Sequence, residues 1–393
     1  MHPTAAAGAA AVAAAAAAAA MAPRRSASPA RLTVSAGATP ARASPRLAQK
    51  KALSTPIWGE YVPHAHLSAK NIFNAVLTAV VLVPSFVCAT YLYTTCSVSR
   101  PVGDACELAI KWPILFANVL FFANVTVGFW IIGLAQRSFW LIDPYWTLLP
   151  PLLGHLYQLH PLASYAPARS AIVLGLLWTW SARLTHSYFR REEWKFGQRE
   201  DWRYSKMARD FPRMWWLLSF FAVGLAQQPM LVGISLPAYT AHFVAAPLSW
   251  PDALAACGCV AGLACGFVAD NELRRYMLAS PRPSPVLDSG IWRYSRHPNY
   301  FGEQLWWWSF AGFAVGLGEW WMIAGTAFNS LVLATVTVMT EQRMLKNWEA
   351  SRADKYREYM RTTSVLIPWF KFGKKKSRAT PPRLSWVPFA GFE

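Results

Sequence analysis

The chain has 393 residues, 54% hydrophobic, 15% aromatic and only 15% charged, where a soluble globular domain carries about 25% charged residues. With a mean hydropathy of +0.21 and 21 Trp, this composition excludes a disordered chain and argues against a soluble enzyme. The 38 Lys+Arg against 20 Asp+Glu give a net charge of +18, but the basic residues lie in short stretches between apolar runs, a placement that fits anionic headgroups and not a nucleic-acid footprint.

Residues 1–59 contain no acid; the first is Glu60. Arg24, Arg25, Arg31, Arg42, Arg46, Lys50 and Lys51 stand there among Ala, Ser, Thr and Pro, and Ala5–Ala20 is broken only by Gly8 and Val12. Alanine contributes little transfer energy, so this run makes a poor membrane span. A basic, acid-free leader resembles an organelle transit peptide. The other reading is a low-complexity tail.

A helical span needs about 20 mainly apolar residues. On that measure the candidate spans are 71–93, 112–136, 145–163, 166–184, 214–235, 251–270, 304–318 and 320–340. The third is weakened by Pro150, Pro151, His155 and His160, and the last two form a hairpin through Gly316 and Gly318. Cys96 and Cys106 flank a short loop after the first span, placed to pair if that loop faces an oxidising lumen. The other four cysteines show no zinc spacing and read as core residues.

Segment 183–213 holds nine basic residues, 272–303 five and 341–378 eleven. By the positive-inside rule all three face the cytosol, or the stroma in a plastid. Two spans separate each neighbouring pair, so the parity closes. The expected fold is an all-α polytopic membrane bundle of about 7–8 spans with a cofactor pocket on the cytosolic face. Its expected divisions are a leader over 1–59, a first span and loop over 60–110, a membrane domain over 111–370 and a basic tail over 371–393. Endoplasmic reticulum or plastid membrane is the expected location.

Asp143 lies in Ser138-Phe-Trp-Leu-Ile-Asp-Pro-Tyr-Trp146, between two spans. An acid near the bilayer is costly and marks a functional site by default. Asp143 is the candidate proton donor, with Tyr145 the second candidate; a helix cap is the structural alternative for Asp143.

The most informative stretch is Asp288-Ser-Gly-Ile-Trp-Arg-Tyr-Ser-Arg-His-Pro-Asn-Tyr-Phe-Gly-Glu303, which leads into Trp306-Trp307-Trp308. Gly290 and Pro298 mark a structured loop entering a helix. Arg293, Arg296 and His297 supply donors suited to phosphate or carboxylate. Asn299 both donates and accepts, which suits a carboxamide or a ribose. Tyr294 and Tyr300 offer flat faces for a ring. The tryptophans that follow read as an interface anchor.

This run resembles the signature of a membrane family whose carboxy-terminal domain is similar to steroid 5-alpha-reductases and sterol C14 and C7 reductases. Trp178-Thr-Trp-Ser-Ala-Arg183, Glu200-Asp-Trp-Arg-Tyr204 and Gly266-Phe-Val-Ala-Asp-Asn-Glu-Leu-Arg274 look like further parts of it. Lys355-Tyr-Arg-Glu-Tyr359 and Thr363-Ser-Val-Leu-Ile-Pro368 look like its closing element. The resemblance implies an NADPH-dependent reductase of a C=C bond in a lipophilic enone, steroid- or isoprenoid-like. It places Arg296, His297, Asn299 and Tyr300 on the cofactor, with Asp270, Arg274 and Arg183 beside them; Tyr294 joins them on the strength of its ring alone. Spacing alone would also let Asp270 pair with Arg274 along one helix. Membrane prenylcysteine and phospholipid methyltransferases share the Arg-His-Pro element and hold S-adenosylmethionine there. The alternatives are therefore a methyltransferase or a non-catalytic lipid-binding membrane protein.

Overall fold

A computed structural model describes residues 64–279 and 281–371. The leader assigned to 1–59 and the tail beyond Lys371 lie outside the described residues. Among those described the fold is all-helical; the only β pairing is an isolated parallel bridge between Ser295 and Ser364.

Helix α1 (Ala69–Val80) starts where the Ser68 hydroxyl accepts the Asn71 N–H at 3.1 Å, a serine N-cap. The axis breaks at Val81–Leu82, and α2 (Val83–Thr95) restarts with Pro84 in its first turn, where a missing N–H costs nothing. A disulfide joins Cys96 to Cys106 and ties α2 to the short α3 (Asp104–Lys111), so the two cysteines do pair. Next, α4 (Pro113–Phe121) runs through a π-helical segment, Phe122–Gly128, into α5 (Phe129–Gln136).

Two helices then form a hairpin, α6 (Ile142–Gln158) and α7 (Pro167–Arg191). A short α8 (Trp202–Asp210) is capped by the Asp201 carboxylate, which accepts the Arg203 N–H at 2.7 Å. After it, α9 (Trp215–Ser219), π-helical turns over Phe220–Leu225 and α10 (Gln227–Phe243) form one continuous rod. The long α11 (Trp250–Leu278) opens on a reciprocal capping box between Ser249 and Asp252. Finally come α12 (Pro298–Gly316), α13 (Ile323–Asn347) and α14 (Ala350–Thr362).

Five rods are long and apolar enough to cross a bilayer: Ala69–Thr95, Pro113–Gln136, Trp215–Phe243, Trp250–Leu278 and Trp320–Asn347. They define a multi-pass helical membrane protein. The remaining sequence-predicted spans correspond to α6, α7 and α12, which are packed among these rods and carry polar side chains inward.

The closest packing is between α11 and α12. Gly258, Gly262 and Gly266 recur every four residues on α11 and face Gly302, Trp306 and Ser309 of α12. A Cβ added at Gly262 would stand 2.7 Å from the Gly302 carbonyl oxygen, and one at Gly302 would stand 2.6 Å from the Gly266 nitrogen. The two backbones touch, as small-residue seams allow in membranes. Likewise α10 and α13 cross at Gly233 and Gly325, where a Cβ on Gly233 would stand 2.9 Å from the Gly325 Cα.

Trp306 and Trp307 are fully buried, stacked among Trp180 and Phe310. Only Trp308 of the three is exposed, which corrects the reading of this run as an interface anchor. Helical periodicity explains the split: two of any three consecutive residues on a packed helix can share its inner face.

The helix ends sort into two groups. At one end the Asn74 amide donates to Phe196 O at 3.0 Å, Arg190 binds the Asn271 side chain at 2.7 Å, and Arg343 lies 4.3 Å over the Trp202 ring. Arg274 also donates to Arg190 O at 3.1 Å, so residues from all three basic segments meet at this end. At the other, His160 binds Ala109 O at 2.9 Å and the Ser164 N–H donates to His242 O at 3.0 Å. There the buried Arg169 also grips Asp252 at 2.7 and 3.0 Å while donating to Ala246 O and Pro247 O.

Candidate functional site

The signature run is held by backbone pairing and by one carboxylate. The Arg296 N–H donates to Ser364 O at 2.8 Å and the Ser295 hydroxyl to Leu366 O at 2.7 Å. The Tyr359 hydroxyl donates to the carbonyls of Trp292 and Ser295, so the closing Tyr-x-x-Tyr element is a clamp on this turn. Upstream, Gly290 sits at φ +59, and a Cβ there would also collide with the Glu272 carboxylate, which accepts the Ile291 N–H at 3.0 Å.

Arg296 does not face a free pocket. Its Nε and Nη2 donate to the two oxygens of Glu341 at 2.8 and 3.3 Å, and its Nη1 donates to Met360 O and Thr363 O at 2.8 and 2.9 Å. Four of the five N–H groups of a guanidinium are engaged within the protein. The expected phosphate contact of Arg296 is thus corrected: this side chain joins the signature to α13 and α14. Glu341 also accepts from His297 Nε2 at 2.9 Å and from the Tyr356 hydroxyl at 3.2 Å. It is the acid that sequence reading passed over. Its signal was a lone carboxyl in the last turns of an apolar helix.

A second cluster lies between α7, α11 and α12. Arg183 reaches Asp270 at 3.2 Å and pairs closely with Glu303, which also accepts the Trp180 indole N–H at 2.9 Å. Gly266 leaves the room that the Arg183 guanidinium fills. Arg183 is 8% exposed as a side chain, so it is an internal pair and not a residue reaching out to headgroups. The expected Asp270–Arg274 pairing is corrected as well. Asp270 binds Arg183, while Arg274 turns to Arg190 O at 3.1 Å, a carbonyl in the last turn of α7.

Asn299 hydrogen-bonds Asp270 through its side chain, yet its Oδ1 is buried without a partner. The Nε of Arg183 is likewise buried and unpartnered. Buried polar atoms are nearly always satisfied, so an orphan acceptor and an orphan donor in one cluster call for an explanation. Tyr300 stacks on His297 at 5.2 Å and hydrogen-bonds Thr340. Tyr294 instead turns outward, edge-on to Phe370, and the structure does not bring it to this cluster.

Asp143 stands in the first turn of α6, ahead of the apolar stretch from residue 145. Arg191, Arg203, Asp201 and Glu192 act on it electrostatically, and the Tyr188 and Tyr204 rings lie within its field. Burial first, then the Asp201 carboxylate, pushes its acid up to about 7. Glu200 is buried beside it, accepting the Phe139 N–H at 2.6 Å; burial, then the Asp143 charge, pushes it up to about 8. Arg191 and Arg203 also act on Tyr300, so Asp143 and the signature helix face the same two guanidiniums.

Tyr145 is not part of this group. Its hydroxyl donates to the Thr78 carbonyl of α1, and its ring packs on Phe129 in the core. With its proton engaged there, the second proton-donor candidate becomes a helix-packing residue.

Fold and site together define a helical multi-pass membrane protein with two buried ionic clusters at its basic end. Residues 129–363 match the family described as "Protein of unknown function (DUF1295)", and the chain belongs to that family. The match begins at α5 and ends at the last turn of α14, so it takes in both clusters and leaves out the disulfide-tied first span. An uncharacterized protein of Schizosaccharomyces pombe is 25% identical over 262 residues, covering 61% of this chain and 75% of that protein. No solved structure matches the chain.

Proposed function

We propose that the protein is an NADPH-dependent reductase of a conjugated C=C bond in a lipophilic enone, with all eight apolar segments crossing the membrane and the basic end on the cytosolic or stromal side. The observation that carries the reading is the orphan pair in the Arg183–Asp270–Glu303 cluster. The Asn299 Oδ1 is a buried acceptor of the kind a carboxamide N–H satisfies, and Asp270 fixes the amide that carries it. Arg190 and Arg274, beside the cluster, are the guanidiniums that would meet the cofactor's phosphates in this reading, in place of Arg296.

When bound, the nicotinamide supplies a hydride to the carbon β to the carbonyl. The protein's part is to place that carbon, exclude water and manage the charge. As the electron pair of the C=C bond moves toward the carbonyl, Asp143 donates its proton to the oxygen, and the resulting enol tautomerises to the saturated ketone. A carboxyl held near 7 is protonated in a useful fraction at neutral pH and reacquires its proton from water at the basic end.

Calorimetric titration of detergent-purified protein with NADPH, NADH and S-adenosylmethionine tests this. NADPH should bind, and Asn299→Ala should weaken it about tenfold, the loss of one net hydrogen bond. Turnover should fall as pH rises through about 7 and be lost in Asp143→Asn with NADPH affinity kept. Binding of S-adenosylmethionine without NADPH would transfer the protein to the methyltransferases. Binding of neither by folded protein would leave the lipid-binding reading.

A further inference from the structure

After α14 the chain bends at 363 and again over 365–367 and lies along the signature turn as far as Phe370. Its backbone is satisfied there: Ser364 O accepts from Arg296, Leu366 O from the Ser295 hydroxyl, and the Trp369 N–H donates to Tyr294 O at 2.9 Å. Exposure alternates residue by residue along it. Here Ser364, Leu366 and Pro368 are partly covered, and Val365, Ile367 and Trp369 point out, 44%, 62% and 60% exposed. Phe370 follows at 77%, with the half-exposed Tyr294 ring edge-on to it. The outer face of this strap is therefore wholly apolar, the reverse of what a water-facing strand carries.

The sequence continues as Lys371-Phe-Gly-Lys-Lys-Lys-Ser-Arg378, five cations without an acid. Lys371 itself is 3.7 Å from Asp288, and that distance leaves the pair loose. Apolar and aromatic side chains backed by lysines are the composition of a segment lying in a lipid interface, where rings sit at headgroup level and cations meet anionic lipid.

We propose that residues 364–370 form an interfacial strap that docks on the anionic headgroup layer of the protein's own membrane, and that docking holds the 294–297 turn in place. The coupling is direct, because the strap's backbone partners are residues 294, 295 and 296. The lipid surface, and not another protein, is the occupant that charge and position fit: the apolar strip is only a few residues long, sits at the basic end of a membrane bundle and adjoins the lysine run. This inference does not depend on what the signature turn binds.

The test uses the full chain in nanodiscs, with Cys88 and Cys257 replaced by serine and a fluorophore on Ile367→Cys. In discs containing phosphatidylserine the label should be quenched by brominated lipid and shielded from aqueous iodide. Replacing Lys374, Lys375 and Lys376 by glutamine should raise the undocked to docked ratio by about fivefold per lysine, and high salt should act in the same sense. Trp369→Ser with Phe370→Ser should release the label without unfolding the protein, as both side chains lie outside the core. In the wild-type chain, the Arg296 amide should exchange hydrogen more slowly in anionic than in neutral discs. A label equally open to iodide in every lipid composition would overturn the proposal, as would Ile367→Cys disulfide dimers that form in place of lipid quenching. Docking without any change at the Arg296 amide would overturn the coupling.

Discussion

At the scale of single residues, a side chain's chemistry was legible in the sequence but its partner was not. Arg296 shows the contrast. The run Arg-His-Pro-Asn-Tyr announces a guanidinium and an imidazole, and nothing in it reveals that Glu341, 45 residues later, occupies both. Removing Arg296 leaves Glu341 buried with an uncompensated charge. Arg296→Ala should therefore cost about 3–5 kcal/mol of stability, the usual loss on breaking a buried pair. Glu341→Gln should cost less, because the amide keeps one acceptor for Arg296 or His297. Thermal unfolding of the two variants in detergent checks the order, and an Arg296→Ala protein as stable as wild type would return that residue to the ligand. Glu200 and Asp143 supply a second test. Burial raises both carboxyls, from 4.5 to about 8 and from 3.8 to about 7, so the folded state holds protons that the unfolded chain releases. Their ionisation costs nothing below about 4, begins to erode stability above the unfolded values and reaches its full penalty once pH passes about 8. Wild type should lose stability between pH 5 and 8, by up to about 1.4 kcal/mol per unit for each group. Glu200→Gln and Asp143→Asn should each flatten part of that slope in melting curves across this range, and a wild-type melting point rising through it would show the sign to be wrong.

At the scale of elements, each of the eight apolar stretches falls on a helix, and five of those helices are long and apolar enough to cross a bilayer. The span least buried in the protein, Ala69–Thr95, is the most apolar, as a surface that meets hydrocarbon must be. In contrast α6, α7 and α12 sit against protein and carry Asp143, Arg183 and Glu303, so their composition is diluted by the charged residues of the buried clusters. The tight α11–α12 seam escaped notice for a different reason. Gly258, Gly262 and Gly266 look like ordinary glycines in an apolar run until the facing Gly302 is known. Their contact sets the height of Asp270 against Asn299 and Glu303. Gly262→Leu should thus separate the helices and cost at least about 1–3 kcal/mol, as overpacking does, with loss of any ligand held by Asn299. Gly318→Ala, in an open turn with no atom within 4 Å of the added Cβ, is the matched control; its φ of +88 makes it strained but leaves the seam intact. Equal ligand affinity in wild type and Gly262→Leu would separate the seam from the site.

At the scale of the whole molecule, the distribution of charge and the direction of each helix make one argument. Residues from segments 183–213, 272–303 and 341–378 gather where α1 begins and α5, α7, α11 and α13 end. The disulfide-tied loop, Ser164 and the buried Arg169–Asp252 pair gather where α2, α6, α10 and α12 end. If every apolar segment crosses, the positive-inside rule assigns the first group to the cytosol or stroma. A disulfide between Cys96 and Cys106 then falls on the far side, the one where an oxidising compartment would keep it. Two independent signals, lysine and arginine density and cysteine pairing, thus demand the same orientation. Single cysteines at Arg209, Arg293 and Ser164, all exposed, report on it in sealed vesicles once Cys88 and Cys257 are serine. An impermeant maleimide should reach Arg209→Cys and Arg293→Cys from one side and Ser164→Cys only from the other, while Cys96 and Cys106 stay unlabelled until reduced. Labelling of Arg209→Cys and Arg293→Cys from opposite sides would remove a crossing between them and, with it, the shared end that the proposed reaction requires of Asp143, Arg183 and Asn299.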